Sequence, residues 1–143
     1  MKKTEKNIKV NGQEGTSAIE FAILLPLLVI FLFGIVEFSI LFYDKAVITN
    51  ASREGARAGI VFSDPRLTDD QIRSVVNTYC SNHLITFGTA NSVNTTFPVR
   101  GSSSGDTLAV NVVYHYDFLV VPNFISNLAG GIDLGSETVM RME

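Results

Sequence analysis

The sequence predicts an α+β protein: a long N-terminal, transmembrane helix followed by a small module of one helix packed on a roughly three-stranded antiparallel sheet. Three observations carry this reading. No residue from Phe21 to Val36 is charged, and the apolar run reaches Tyr43 if Glu37 is tolerated. Roughly 20 apolar residues cross a hydrocarbon core as a helix. A second stretch, Ile72 to Leu84, repeats apolar residues at 3-4 spacing, and beyond Val93 the period changes to two.

Residues 1–15 are polar and hold Lys2, Lys3, Lys6 and Lys9 against Glu5 and Glu14, so they read as an unstructured basic leader. That leader carries +2 of a formal −3, which leaves −5 on the remaining chain. The span itself is placed at about residues 21–43. A cleavable secretory signal would have a shorter apolar region of about 7–15 residues and a small-residue cleavage site, which Val36-Glu37-Phe38-Ser39 does not offer. A buried core helix is the other reading, but the rest of the chain is small for wrapping such a rod. Lysines on the near side place the N-terminus in the cytoplasm and the chain from about Tyr43 outside it.

Helical spacing continues through Ala46, Val47, Asn50, Ala51, Glu54 and Ala58, so the helix is expected over residues 16–62, interrupted or kinked at Pro26. Ser63-Asp64-Pro65-Arg66 is a breaker, and residues 63–143 form the outer module. Thr68-Asp69-Asp70-Gln71 reads as a capping box opening the second helix, with an apolar stripe of Ile72, Val75, Val76, Tyr79, Cys80 and Leu84 and an end near residues 85–88. Val93, Thr95, Phe97 and Val99 alternate, with Pro98 confining that strand to an edge. Gly101 to Asp106 is a flexible turn. Leu108, Val110, Val112, Tyr114, Tyr116 and Phe118 alternate most cleanly of all. A loop with a helical turn at Phe124–Leu128 follows, then a closing strand of Ile132, Leu134, Ser136, Thr138, Met140 and Met142.

The chemistry is sparse. A net-acidic body gives no footing for nucleic acid. One cysteine, Cys80, excludes an internal disulfide, and two histidines leave no ligand set for a structural zinc, so no metal, cofactor or small-molecule substrate is expected. Cys80 reads as a buried thiol, open to a partner disulfide outside the cytoplasm. There is no G-x-S-x-G, phosphate loop or H-E-x-x-H, and no catalytic residue is assigned. His115 and Asp117 share one strand face and read as a solvated surface. His83 reads as a partner of a helix C-terminus, and Glu37 as a long side chain reaching water at the far interface.

Glu20 is the exception. A carboxylate costs about 2.5–3.5 kcal/mol at the centre of a membrane helix and less near its end. It either rests among headgroups or meets a cation, and cutting after Gly15 would create one as a new amino terminus. Further on, Ala51, Gly55 and Gly59 recur every fourth residue as a small-residue ridge that lets another backbone approach. The ridge takes either the chain's own sheet or a partner's helix. Arg53 and Arg57 share a neighbouring face, and Glu54 is close enough to Arg57 to pair.

The basic leader, Gly15, Thr16-Ser17-Ala18-Ile19-Glu20-Phe21 and the apolar helix together resemble the prepilin peptidase site of type IV pilin-like proteins. Glu20 to Pro26, Gly34-Ile35-Val36-Glu37-Phe38 and Ala51 to Ala58 extend the likeness to the TadE-like family, minor pilins or pseudopilins of the tight-adherence (Flp) pilus. The resemblance covers residues 15–60, with a fainter echo in the closing Val139 to Glu143. Phe21 departs from the tyrosine usual in major Flp pilins, and the chain is longer than such a pilin.

The resemblance implies a non-enzymatic component of pilus assembly, adhesion or secretion. Gly15 would precede the cut, Thr16 would begin the mature chain, and Glu20, with Phe21 beside it, would pair with a neighbouring subunit's terminal amine. The implied partners are the prepilin peptidase, other pilins or pseudopilins, inner-membrane pilus assembly proteins and membrane lipid. The implied place is the bacterial cytoplasmic membrane, crossed once, with passage into a pilus open. The alternative is an unprocessed single-pass anchor carrying a small extracytoplasmic binding domain.

Overall fold

A computed structural model of the chain describes residues 13–86, 93–118 and 130–143. The leader before Gln13 and the helical turn expected at Phe124–Leu128 lie outside the described residues. Helix α1 runs unbroken from Gln13 to Ile60, 48 residues, about 72 Å at 1.5 Å per residue. Gln13 to Gly15, expected in the unstructured leader, are helical. The helix continues through Pro26, whose ring removes one backbone donor without ending it.

Helix α2, Asp69–His83, starts as its sequence requires. The Thr68 hydroxyl accepts from the Gln71 amide at 3.3 Å, and the Gln71 side chain accepts from the Thr68 amide at 2.8 Å. It stops at His83, short of the expected 85–88, because Leu84 turns to an extended conformation and donates to Cys80 O. The next amide, Ile85 N–H, donates instead to the buried Asp44 carboxylate of α1, 3.1 Å away. Tertiary pairing has replaced the last helical turn. A 15-residue helix is marginal alone. Burial of Ile72 and Val76 offsets this, each contributing about 1.5–3 kcal/mol as an upper estimate.

Three strands follow, β1 (Val93–Arg100), β2 (Thr107–Tyr116) and β3 (Ile132–Arg141), paired antiparallel in the order β1-β2-β3. The turn between β1 and β2 is pinned, since the Asp106 carboxylate accepts from the Ser102 and Ser103 amides at 3.1 and 2.9 Å. Those bonds hold the Asp106 carboxyl below its usual range. On β2, Leu108, Val110, Val112, Tyr114 and Tyr116 all face inward and are buried, the expected alternation.

β1 departs from its expected pattern. Its register against β2 shifts between Thr96 and Val99, where Pro98 cannot donate to a ladder. The bulge turns Val99 outward, 50 % exposed, although strict alternation places it beside Phe97 on the inner face. Arg100 turns in instead. It donates to Leu67 O at 2.6 Å and pairs with Asp69 at 3.0 Å, tying the sheet to the start of α2.

The inner face of the sheet packs on α2 and on the second half of α1. Along α1 the buried positions Glu37, Asp44, Val47, Ile48, Ala51, Ser52, Gly55, Ala56 and Gly59 recur at three and four residues, one stripe of the helix. Gly55 and Gly59 have to be small. A Cβ on Gly55 would lie 2.6 Å from Val76 Cγ2, and one on Gly59 would lie 2.7 Å from Ile72 Cδ1. The ridge of Ala51, Gly55 and Gly59 therefore receives the chain's own α2 and β2. Ser52 adds a polar tie to β3, 2.7 Å from the Thr138 hydroxyl and 3.3 Å from that of Ser136.

Val76 is β-branched and stiff, so Gly55→Ala is expected to destabilise the module by about 1–2 kcal/mol, overpacking outweighing the gain in helix propensity. Gly34→Ala, where a Cβ meets nothing within 4 Å, is expected to leave the midpoint unchanged or raise it. Thermal unfolding of both variants in detergent micelles checks the contrast.

Candidate functional site: an apolar helix with a carboxylate at each end

The first half of α1 is bare. Every residue from Gly15 to Phe33 is exposed, and the large side chains Phe21, Ile23, Leu24, Leu27 and Phe31 are each at least 60 % open. Within the described residues, α1 is long and apolar enough to cross a membrane, and none of its most apolar window is buried by the rest of the chain. A soluble protein rarely exposes so large an apolar surface. Lipid or another apolar helix is the environment that fits it.

Gly15, Thr16, Glu20 and Phe21 sit in the first turns of this bare helix, all exposed. A Cβ on Gly15 would meet nothing within 4 Å, so no side chain among the described residues packs over it. Glu20 makes no ion pair among the described residues.

The other end of the apolar run is closed. Glu37 does not reach water as expected from the sequence; it is 3 % exposed and accepts a 2.5 Å hydrogen bond from the Tyr116 hydroxyl at the end of β2. Burial, then the Glu37 carboxylate, pushes the Tyr116 phenol far above its ordinary range, so it remains a donor. Phe118 and Tyr114 stack edge-on against Tyr116, centroids 6.2 and 6.5 Å away. The module thus grips α1 from Glu37 onward. Asp44, one heptad further along the same stripe, is fully buried and holds the Ile85 amide. The sequence carried a signal for both: Glu37, Leu41, Asp44, Ile48, Ala51, Gly55 and Gly59 form one i, i+4, i+7 series leading to the ridge.

The residues around the ridge divide cleanly. Ala51, Gly55 and Gly59 are buried, whereas Arg53, Glu54 and Arg57 point into solvent. The expected Glu54–Arg57 pair does not form, and none of the three makes an ion pair among the described residues. An exposed pair gains too little to hold two long side chains in place.

His115 lies half-exposed on the outer sheet face, 2.6 Å from Asp133 and 3.6 Å from Asp117. The Asp133 hydrogen bond raises its pKa. No hydroxyl or thiol bonds to it among the described residues, so the cluster is a surface charge group. His83 Nδ1 lies 2.7 Å from Tyr79 O in the last turn of α2 and stacks on the Tyr79 ring, the terminal role expected of it. Cys80 is buried in the core.

A model of the family described as TadE-like protein matches residues 15–57. The match falls on α1, on the segment whose residues resemble that family, and does not extend into α2 or the sheet. Comparison with curated proteins and with solved structures found no match.

Tyr116→Phe is expected to cost about 1–3 kcal/mol, because it strips a buried carboxylate of a donor. Glu37→Leu combined with Tyr116→Phe should recover most of that loss, an apolar pair replacing a buried polar one. Denaturant unfolding in micelles measures both. For Cys80, burial pushes the thiol from its ordinary 9.0 up to about 11. The folded state therefore holds this proton more tightly than the unfolded state, and the stabilisation is complete below pH about 9 and lost as pH rises to about 11. Maleimide labelling of the native chain at pH 7 should be far slower than labelling after unfolding.

Proposed function

We propose, from the match of α1 to TadE-like proteins, that this chain is a membrane-anchored component of a tight-adherence pilus. In this reading α1 crosses the bacterial cytoplasmic membrane once, with residues before Gly15 in the cytoplasm and the module outside. Gly15 and Thr16 flank a bond cut by a prepilin peptidase. The new amine at Thr16 is the cation for Glu20, which is exposed and makes no ion pair among the described residues, and it is supplied in assembly by a neighbouring pilin or pseudopilin. The chain then acts by interaction, as a minor pilin or pseudopilin serving adhesion or secretion.

The single observation that supports this best is the juxtaposition on one bare helix of an exposed Gly15 and an exposed Glu20 without an ion pair among the described residues, ahead of a lipid-length apolar surface. A carboxylate there is costly unless it is matched. A membrane stretch offers no hydrophobic drive between helices, so charge pairing and close packing have to select partners.

N-terminal sequencing of the chain from native membranes is expected to begin at Thr16 for the unaltered protein and at Met1 for Gly15→Ala. Glu20→Ala is expected to be cut normally while the assembled pili are reduced or lost. A native chain that begins at Met1 would favour the unprocessed anchor, and normal piliation by Glu20→Ala would remove the pairing role.

A further inference from the structure

The described part of the chain holds six arginines, and four are engaged. Arg66 donates to Glu143 O at 2.6 Å, Arg73 pairs with Asp70 at 3.0 Å, Arg100 pairs with Asp69 at 3.0 Å, and Arg141 donates to Gly105 O at 2.9 Å. The two that make neither a hydrogen bond nor an ion pair among the described residues, Arg53 and Arg57, both lie on the outward face of α1, opposite the buried ridge. Arg57 can serve the negative end of the helix dipole, being in the last turn. Arg53 is too far from that end for the same account.

The opposite pole of the module is the outer face of the sheet, and its exposed Glu137 is likewise without an ion pair among the described residues. Its height is fixed by its neighbours. Ser136 and Thr138, on either side of Glu137, both contact the Ser52 hydroxyl, so Glu137 stands level with the residue before Arg53, on the far side of the sheet. Across the strands Glu137 is neighboured by Asn111 and then Thr96, and next to them Val99 and Val139, 50 % and 58 % exposed, flank Ala109, with the exposed Arg141 further along β3.

We infer that copies of this chain associate head to tail in the membrane, Arg53 and Arg57 of one copy docking on the Glu137 face of the next. The inference rests on the reading that α1 is a membrane anchor, because anchoring holds all copies parallel and at one depth. At equal depth Arg53 meets Glu137 with no axial shift, and Arg57 stands about 6 Å further along the helix, one turn beyond. Joining two copies through their helix faces instead would oppose arginine to arginine. Different patches meet on the two copies, so the contact is heterologous and continues into rows rather than stopping at a pair. The modules make this contact, and the apolar face of α1 remains available to lipid or other helices.

The test uses the full chain in phosphatidylcholine vesicles, with Asn50→Cys in one population and Val139→Cys in the other, and a short bis-maleimide. Both positions neighbour the charges without removing them, and the unsubstituted chain gives the background from Cys80. Mixed populations are expected to cross-link several-fold more than either alone. Arg53→Glu with Arg57→Glu in the Asn50→Cys copy should bring the yield to background, and Glu137→Arg in the other copy should restore it. Equal yields in mixed and single populations, or no effect of charge reversal, would overturn the contact. Flotation of the same vesicles reads the anchor separately. A chain that floats but does not cross-link in the mixture sinks this contact alone, and a chain that fails to float sinks the membrane reading as well.

Discussion

Because α1 runs from Gln13 to Ile60 without a break, the surface suited to lipid and the surface that carries the sheet belong to one rod. Its two halves meet opposite demands. The first half is apolar nearly all round and is left exposed by the rest of the described chain. The second is apolar and small on one stripe only, with polar residues facing water. Glu37 marks the change, buried against Tyr116 where the sheet begins to cover the helix. A lone carboxylate inside an apolar run would be costly, and the bond to Tyr116 makes that cost depend on the module staying docked. The height and orientation of the module are thereby set by the helix.

The ridge completes that constraint. With Gly55 and Gly59 against Val76, Ile72 and Leu108, α2 and β2 approach the α1 backbone more closely than larger residues would permit. Ser52 bonding Thr138 and Asp44 bonding Ile85 add direction to an otherwise apolar contact. Polar ties of this kind contribute modestly to stability and strongly to register. They fix which strand residue stands at which level of the helix, and hence where Glu137 lies relative to Arg53.

Much of this fold was legible from periodicity. The helix from the apolar run to Ile60, the Thr68–Gln71 capping box and the inward residues of β2 and β3 follow from spacing and local chemistry. What escaped was decided by tertiary partners. α2 ends early because Asp44 captures the Ile85 amide, and a one-dimensional pattern cannot show that partner. Val99 faces out because Pro98 forces a bulge, although the proline itself was visible. Glu37 looked able to reach water because its place on the ridge stripe shows only when the helix is followed as far as Gly59. At the candidate site, the openness of Gly15 and Glu20 was readable from the apolar run around them. The occupant of the ridge was not, since small residues at that spacing admit a sheet or a foreign helix equally well.

With α1 as a membrane anchor, the helix should pass from lipid to water at the point where its module takes hold. Spin labels placed singly at Leu28, Ile35, Phe42, Ala46 and Arg53, all on the outward face of α1, would read it directly in lipid nanodiscs. Collision with oxygen should dominate at Leu28 and Ile35, and collision with a water-soluble nickel chelate at Ala46 and Arg53, with the crossover between Ile35 and Phe42, around Glu37. Uniform access of the chelate along all five positions, or a lipid-like response at Arg53, would contradict it.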